Sequence, residues 1–268
     1  MDTLPLWTVS AATLFLVVAA IEGGYRLGRA AHARSDREKE SPASAIAATI
    51  LALLAFIMAF TFGIVSDRYD TRRALVQEEA NAIRVAWLRS DFLPEPDRGE
   101  AVTLLREYVD RRLSAVQSKD LARVKDVLAE SVRIQRQLWD MAVVNARKDM
   151  NSDVAALYIE SLNDLGSIHA RRVSVGAYSR IPLGIWLAFY VLVVLSMLAV
   201  GYHTAIAGSR RSWIMLILAL SFSLVITLIA ALDRVQGGYL PVSQQPLKDV
   251  QVLMGGPLDA ASPSRVSP

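Results

Sequence analysis

Residues 43–93 read ASAIAATILALLAFIMAFTFGIVSDRYDTRRALVQEEANAIRVAWLRSDFL, and this stretch decides the fold. Pro42 precedes it and Pro94 follows it, with no proline between them. Residues 43–65 are almost wholly apolar, whereas from Ser66 the sequence becomes charged without any turn signal. About 20 helical residues cross a bilayer core of ~30 Å. We therefore predict one helix, from Ser44 to Leu93, that starts inside a membrane and continues into water.

The composition is that of a membrane protein with a water-soluble part. Apolar residues make up 53% of the 268-residue chain and charged residues 21%, and the mean hydropathy is +0.32. The net charge of +3, with basic and acidic residues interspersed, is too small to indicate a nucleic-acid partner. The absence of cysteine excludes disulfides and thiolate chemistry. The expected partner is the lipid bilayer.

Four apolar segments are long enough to be membrane spans. A basic n-region is missing before the first one, so we interpret it as a retained helix rather than a signal peptide. The predicted spans are Leu6–Ile21, which Glu22 and Gly23-Gly24 would end, then Ala43–Val65, Pro182–Tyr202 and Trp213–Leu232. The alternative, core helices of a large soluble protein, fits four such runs poorly.

The remaining sequence predicts a helical middle domain and an irregular end. Residues 66–181 show apolar positions at spacings of three and four and no strand pattern. The predicted fold class is thus all-α, with an extramembrane helical bundle inserted between spans two and three. The predicted domains are residues 1–65 (two spans and a basic loop), 66–181 (the bundle), 182–232 (two spans) and 233–268 (an irregular C-terminal tail).

The orientation in the membrane rests on the basic residues. Arg26, Arg29, Arg34, Arg37 and Lys39 follow the first span, and Arg210 and Arg211 lie between the third and fourth. Cytoplasmic loops carry an excess of Lys and Arg. The charge count therefore predicts a periplasmic middle domain in a bacterial inner membrane.

No pattern indicates a catalytic, cofactor-binding or metal-binding residue. His32, His169 and His203 are scattered over unrelated segments, and no nucleophile or phosphate-binding motif is present. Spans two to four contain no Asp, Glu, Lys or Arg. We therefore expect neither an enzyme nor a bound cofactor.

The charged half of the long helix allows two interpretations. Residues Tyr69, Asp70, Glu79 and Asn81 lie among alanines that would let helices approach closely. They form either a solvated, charge-laced surface or a polar seam buried against the bundle.

This stretch resembles a known family. FTFGIVSDRYDTRRALVQEEANAIRVAWLRSDFLPEP (60–96), LYIESLNDLGSIHARR (157–172) and LDRVQGGYLPVSQQPL (232–247) resemble the bacterial bestrophin-like family, four-span proteins with a domain of unknown function. A more distant resemblance is to bestrophin anion channels, whose pore helix is followed by a Phe-Arg…Tyr-Asp-Arg run. Here Ser66–Asp70 falls at that place, and Thr71-Arg72-Arg73 stands where those channels carry an aromatic pair. The resemblance implies a cytoplasmic middle domain, against the charge count.

The resemblance also implies a pore. Bestrophins are pentamers whose pore narrows at a ring of apolar side chains. Phe56, Phe60 and Ile64 share one stripe of span two and would form the constriction. Arg68, Arg72 and Arg73 would attract anions at its mouth. The stripe could equally be an ordinary lipid-facing surface.

Two functions remain open at this point. The first is a homo-oligomeric, anion-channel-like protein that passes small anions. The second is a non-conducting structural or signalling membrane protein whose helical domain binds a partner or ligand.

Overall fold

The computed structural model describes residues 5–34, 40–117, 121–178, 181–208, 213–234 and 241–255. The helices in these ranges are α1 (Leu6–Arg34), α2 (Glu40–Arg89), α3 (Asp97–Gln117), α4 (Leu121–Ala146), α5 (Asp153–Tyr178), α6 (Leu183–Ile206), α7 (Trp213–Asp233) and α8 (Gln245–Leu253). A 3₁₀ turn, Ser90–Phe92, follows α2. Since the described ranges contain no β-strand, the predicted all-α class is confirmed.

Four of these helices are long and apolar enough to cross a membrane. They are α1, α2, α6 and α7, and their most apolar windows have mean hydropathies of 1.8, 2.5, 2.5 and 2.7. Each exceeds the length of about 20 residues that a bilayer core requires. The four predicted spans are therefore present as helices.

Helix α2 is unbroken over 50 residues, so the prediction of one long helix is confirmed. It ends at Arg89, where the Ser90 hydroxyl donates a 2.6 Å hydrogen bond to the carbonyl of Trp87. The backbone N–H of Leu93 donates to the carbonyl of Ser90 at 3.0 Å, which closes the 3₁₀ turn. Pro94 follows and has no N–H with which to continue a helix.

The chain divides into two compact units, and α2 contributes to both. The first contains Met1–Tyr69 and Arg180–Leu240, and the second contains Asp70–Ser179 and Pro241–Pro268. All four membrane-length helices thus contribute to the first unit, and the C-terminal segment is grouped with α3, α4 and α5 in the second.

In the first unit, glycines let α1 and α6 approach closely. A Cβ atom at Gly24 would overlap the carbonyl oxygen of Leu198, and one at Gly201 would overlap the carbonyl oxygen of Ile21. Small residues at helix crossings serve this purpose in membranes. The prediction that Gly23-Gly24 ends the first span is therefore wrong: α1 continues through them to Arg34.

The second unit packs its helices around a core that α8 helps to cover. Fully buried side chains include Ile83 of α2, Leu105 of α3, Leu138 of α4 and Leu165 of α5. Residues 245–253 form α8, so the predicted irregular tail is wrong there. The physical reason is burial, because Leu247, Val250 and Met254, at helical spacing, join the same core. Residues 256–268, also predicted irregular, lie outside the described residues.

Candidate functional site

The predicted constriction residues lie on the apolar half of α2. Phe56 and Phe60 are 66% and 63% exposed, and Ile64 is partly buried. Spacings of four residues place all three on one stripe of the helix. Within a single chain, both phenylalanine side chains are therefore available to lipid or to a second subunit.

The three arginines that follow this stripe differ in their surroundings. The Arg68 guanidinium lies 3.9 Å from the carboxylate of Asp233, which also accepts a 3.4 Å hydrogen bond from the Trp186 indole. Arg72 is buried, at 9% exposure, whereas Arg73 is exposed. A role at a water-filled mouth therefore suits Arg73 best, and the burial of Arg72 departs from the expectation that all three lie near water.

Further along α2, Glu79 is the centre of a buried polar cluster. Tyr108 of α3 donates a 2.7 Å hydrogen bond to Glu79 Oε1. Arg112 Nε lies 2.9 Å from the same oxygen, and Arg112 Nη2 donates to Oε2 at 3.3 Å. Arg172 of α5 donates through Nη1 to Oε2 and through Nη2 to Gln244 at 2.7 Å. One carboxylate thus joins α2, α3 and α5, and Arg172 extends the network to Gln244, the residue before α8.

The electrostatics of this cluster keep Glu79 ionised. Burial by itself would raise the pKa of Glu79, but the charges of Arg112 and Arg172 and the Tyr108 hydrogen bond hold that pKa below its usual value. Burial, reinforced by the charge of Glu79, raises the pKa of Tyr108 well above its ordinary value. The phenol therefore stays protonated and donates to the carboxylate.

His169 of α5 completes the cluster as a neutral ring. Its Nδ1 lies 3.0 Å from the Tyr108 hydroxyl. Burial, with Arg112 acting in the same direction, lowers the pKa of His169 to about 4. Since the Tyr108 proton goes to Glu79, the geometry assigns the His169 proton to Nδ1, which donates to the Tyr108 oxygen. The Gln135 amide donates to the same oxygen at 3.3 Å.

The predicted polar seam is therefore buried only in part. Glu79 is fully buried, but Asp70 and Asn81 are exposed and Tyr69 is partly buried. Asn81 accepts a 2.9 Å hydrogen bond from Arg84 at the surface. Among the described residues, no group of three or more His, Asp or Glu side chains is placed to hold a metal ion.

A family model described as the bestrophin-like domain matches residues 11–247. The chain belongs to the bestrophin-like family. No curated protein matches it significantly.

Solved structures of bestrophin homologs share the fold of this bestrophin-like chain. A bacterial bestrophin homolog from Klebsiella pneumoniae with a point mutation has 14% identity and a TM-score of 0.62, with 92% of this chain and 98% of that chain covered. A second structure of a bestrophin homolog from Klebsiella pneumoniae has 14% identity and a TM-score of 0.61, covering 93% and 98%. A structure described as a membrane protein variant has 13% identity and a TM-score of 0.59, covering 93% and 98%. At identities this low, the structural similarity shows a common fold alone.

Sequence reasoning missed the partners of Glu79 in this bestrophin-like protein. His169 and Arg172 lie in LYIESLNDLGSIHARR and Gln244 lies in LDRVQGGYLPVSQQPL, two of the segments that carry the family resemblance. Their position in these segments was the available indication that they matter, although it did not indicate that they contact Glu79. Nothing comparable marked Tyr108 or Arg112, which lie in an ordinary amphipathic helix.

Proposed function

We propose that this protein forms a homo-oligomeric ring in a bacterial inner membrane and passes small anions along an axis lined by α2 of each subunit. The observation that carries the proposal is the poor coverage of α2. Only 17% of its most apolar window is buried within the chain, against 33% for α1, 28% for α6 and 33% for α7. A helix so little covered by its own chain has a face available for contact with other subunits.

The exposed stripe has the chemistry of an apolar constriction. Phe56 and Phe60 project from α2 with more than half of their surface uncovered. A ring of such side chains gates by excluding water, and widening it admits water and ions. The exposed Arg73, beyond the apolar stretch, would raise the local anion concentration.

The second unit is proposed to lie outside the membrane, as a helical bundle inserted between the second and third spans. Its core contains the ionised Glu79 cluster, and its surface carries exposed ion pairs such as Glu78 with Arg171. Charged groups of this kind belong in water rather than in hydrocarbon.

The side of the membrane on which this bundle lies is a separate question. The charge count favours the periplasm, whereas the resemblance to bestrophins implies the cytoplasm. Arg210 and Arg211, which contribute to the count, lie outside the described residues.

Chloride flux from proteoliposomes tests conduction directly. Phe60→Ala should raise flux because it widens and wets the constriction. Phe15→Ala is the matched control, since Phe15 is 77% exposed but lies on α1, away from the α2 stripe that is proposed to line the axis. Arg73→Gln should lower the preference for anions while leaving the fold intact, because its side chain is exposed.

Oligomer mass in several mild detergents provides the second measurement. If the protein forms a ring, its mass in each detergent should correspond to more than one subunit. One subunit has too little room to enclose a wet pore and still pack its core. Protein that is monomeric throughout, or vesicles with Phe60→Ala that leak no more chloride than empty ones, would exclude the channel. The structural or signalling function would then be the better account.

A further inference from the structure

Asp67 is the first charged residue after the apolar half of α2, and its side chain is exposed. It follows Phe60 by seven residues and Phe56 by eleven. An α-helix turns by about 100° per residue, so Asp67 points within about 20° of both phenylalanines. It also lies roughly 10 Å beyond Phe60 along the helix. Asp67 therefore continues the exposed phenylalanine stripe, on the side of α2 that is proposed to line the axis.

The surface of α2 between Phe60 and Asp67 is open. Gly63 lies on the same face and is exposed, and a Cβ atom added to it would meet no atom within 4 Å. Within the described part of the chain, no hydrogen bond or ion pair occupies the Asp67 carboxylate. The negative charge of Asp67 is thus not balanced by a neighbouring group on this face.

The adjacent positive charge, on Arg68, is directed elsewhere. Arg68 is about 100° round the helix from Asp67, and its side chain is only 28% exposed. Its guanidinium lies 3.9 Å from the carboxylate of Asp233, the last residue of α7. That carboxylate also accepts a 3.1 Å hydrogen bond from the backbone N–H of Ile181. Because Arg68 pairs with a carboxylate on α7, it adds little positive charge to the stripe.

The next exposed charges along α2 belong to the second unit. They are Asp70 and Arg73, which have opposite signs. Arg73 lies six residues beyond Asp67, which is roughly 9 Å further along the helix. The exposed charge nearest to the constriction is therefore negative. Rings of Asp or Glu carboxylates favour cations over anions in channels.

We propose that Asp67 determines the ion selectivity of the proposed pore. In a ring of subunits, one Asp67 carboxylate from each subunit faces the axis beside the constriction. This ring lowers the passage of anions and raises that of cations, so it opposes the attraction of anions by Arg73. The inference rests on the proposed function, because Asp67 faces an axis only if α2 lines one.

The ratio of chloride to sodium permeability tests this role. It is obtained from the reversal potential of the full-length protein in planar bilayers across a gradient of sodium chloride. Asp67→Asn should raise the ratio by at least about threefold, the effect of one unit charge at about 6 Å in water. Asp67→Glu should leave the ratio near that of the parent protein. The rise should shrink as the salt increases from about 0.1 M to about 1 M, since the Debye length falls from about 10 Å to about 3 Å.

A control variant removes the same charge elsewhere. Asp140 on α4 is 59% exposed, so Asp140→Asn also replaces an exposed carboxylate by an amide. It should leave the ratio of chloride to sodium permeability unchanged, because Asp140 is not on the stripe of α2.

A chemical change of charge separates the charge of residue 67 from any effect on packing. The chain contains no cysteine, so Asp67→Cys offers a single thiol for methanethiosulfonate reagents. A negatively charged sulfonatoethyl group should lower the permeability ratio, and a positively charged trimethylammonium group should raise it. Both products come from the same folded variant. Asp140→Cys, treated in the same way, should show no difference between the two reagents.

Two results would overturn the inference. One is a permeability ratio that Asp67→Asn leaves unchanged, and the other is an equal ratio after the two reagents on Asp67→Cys. If Asp67→Asn fails to fold, the reagents decide, and ratios that differ in the stated order support the inference. Ion flux with an insensitive ratio would exclude only this role of Asp67, because the pore itself conducts. Protein that passes neither ion in any variant would exclude the pore and this role together.

Discussion

Replacing Glu79 by glutamine removes the negative charge that the buried Arg112 and the largely buried Arg172 share. The side chain of Glu79 is fully buried, and those of Arg112 and Arg172 are only 6% and 14% exposed. Breaking a buried ion pair by removing one partner costs about 3–5 kcal/mol, because a charge is left uncompensated away from water. The glutamine oxygen can still accept from Tyr108, so no further loss is added for that hydrogen bond. We expect Glu79→Gln to destabilise the second unit by about this amount.

A neighbouring pair on the same helices provides the control. Glu78 and Arg171 form a 3.2 Å ion pair, but their side chains are 43% and 62% exposed. Exposed pairs contribute about 0–1 kcal/mol. Glu78→Gln should therefore change stability little, although it removes the same charge one residue away.

Thermal unfolding of the full-length protein in detergent, followed by circular dichroism, measures the difference. A loss of 1 kcal/mol lowers Tm by roughly 2–4 °C in a domain of this size, so Glu79→Gln should lower it by roughly 6–20 °C. A combined change of Glu79, Arg112 and Arg172 to methionine should recover much of this loss, since the buried charges disappear together. If Glu79→Gln lowers Tm no more than Glu78→Gln does, the cluster does not hold these helices together and the reasoning fails.

Three further predictions concern pH, orientation and packing. Burial lowers the pKa of His169 to about 4 from its ordinary 6.5. The stability that the neutral ring contributes is therefore complete above pH 6.5 and is lost as the pH falls towards 4. Thermal melts between these pH values should show a smaller fall in Tm for His169→Gln than for the parent protein. Single cysteines at the exposed positions His32 and Lys125, in a chain that has none, should react differently with an impermeant reagent on whole cells. The charge count predicts labelling at position 125 and protection at position 32. The reverse pattern would favour the cytoplasmic middle domain that the resemblance to bestrophins implies. Gly24→Ala should destabilise the first unit by about 1–3 kcal/mol because its Cβ would overlap the backbone of α6, whereas Gly63→Ala, with open space around it, should not; equal Tm values for the two variants would contradict the close helix crossing.

Much of the fold could be predicted because it depends on local sequence. Hydropathy over about 20 residues located the spans, and the absence of proline between Pro42 and Pro94 predicted one long helix. The same local reasoning failed at Gly23-Gly24, because a glycine that ends a helix in water can serve as a packing residue in a membrane. It failed again at α8, because the glycines and prolines of this segment predicted an irregular chain. Burial of Leu247 and Val250 nevertheless stabilises a short helix there.

The sequence by itself determined the membrane class, the family and the length of α2, since these follow from composition, motifs and the absence of proline between Pro42 and Pro94. Only the tertiary structure decided which of the carboxylates Asp70 and Glu79 on α2 is buried. Asp70 and Glu79 are both carboxylates on that helix, but Asp70 is exposed and Glu79 is enclosed. The deciding partners, Arg112 and Arg172, lie 33 and 93 residues away along the chain. A buried charge requires an opposite charge beside it. The periodicity of one helix does not show which distant side chains supply that charge.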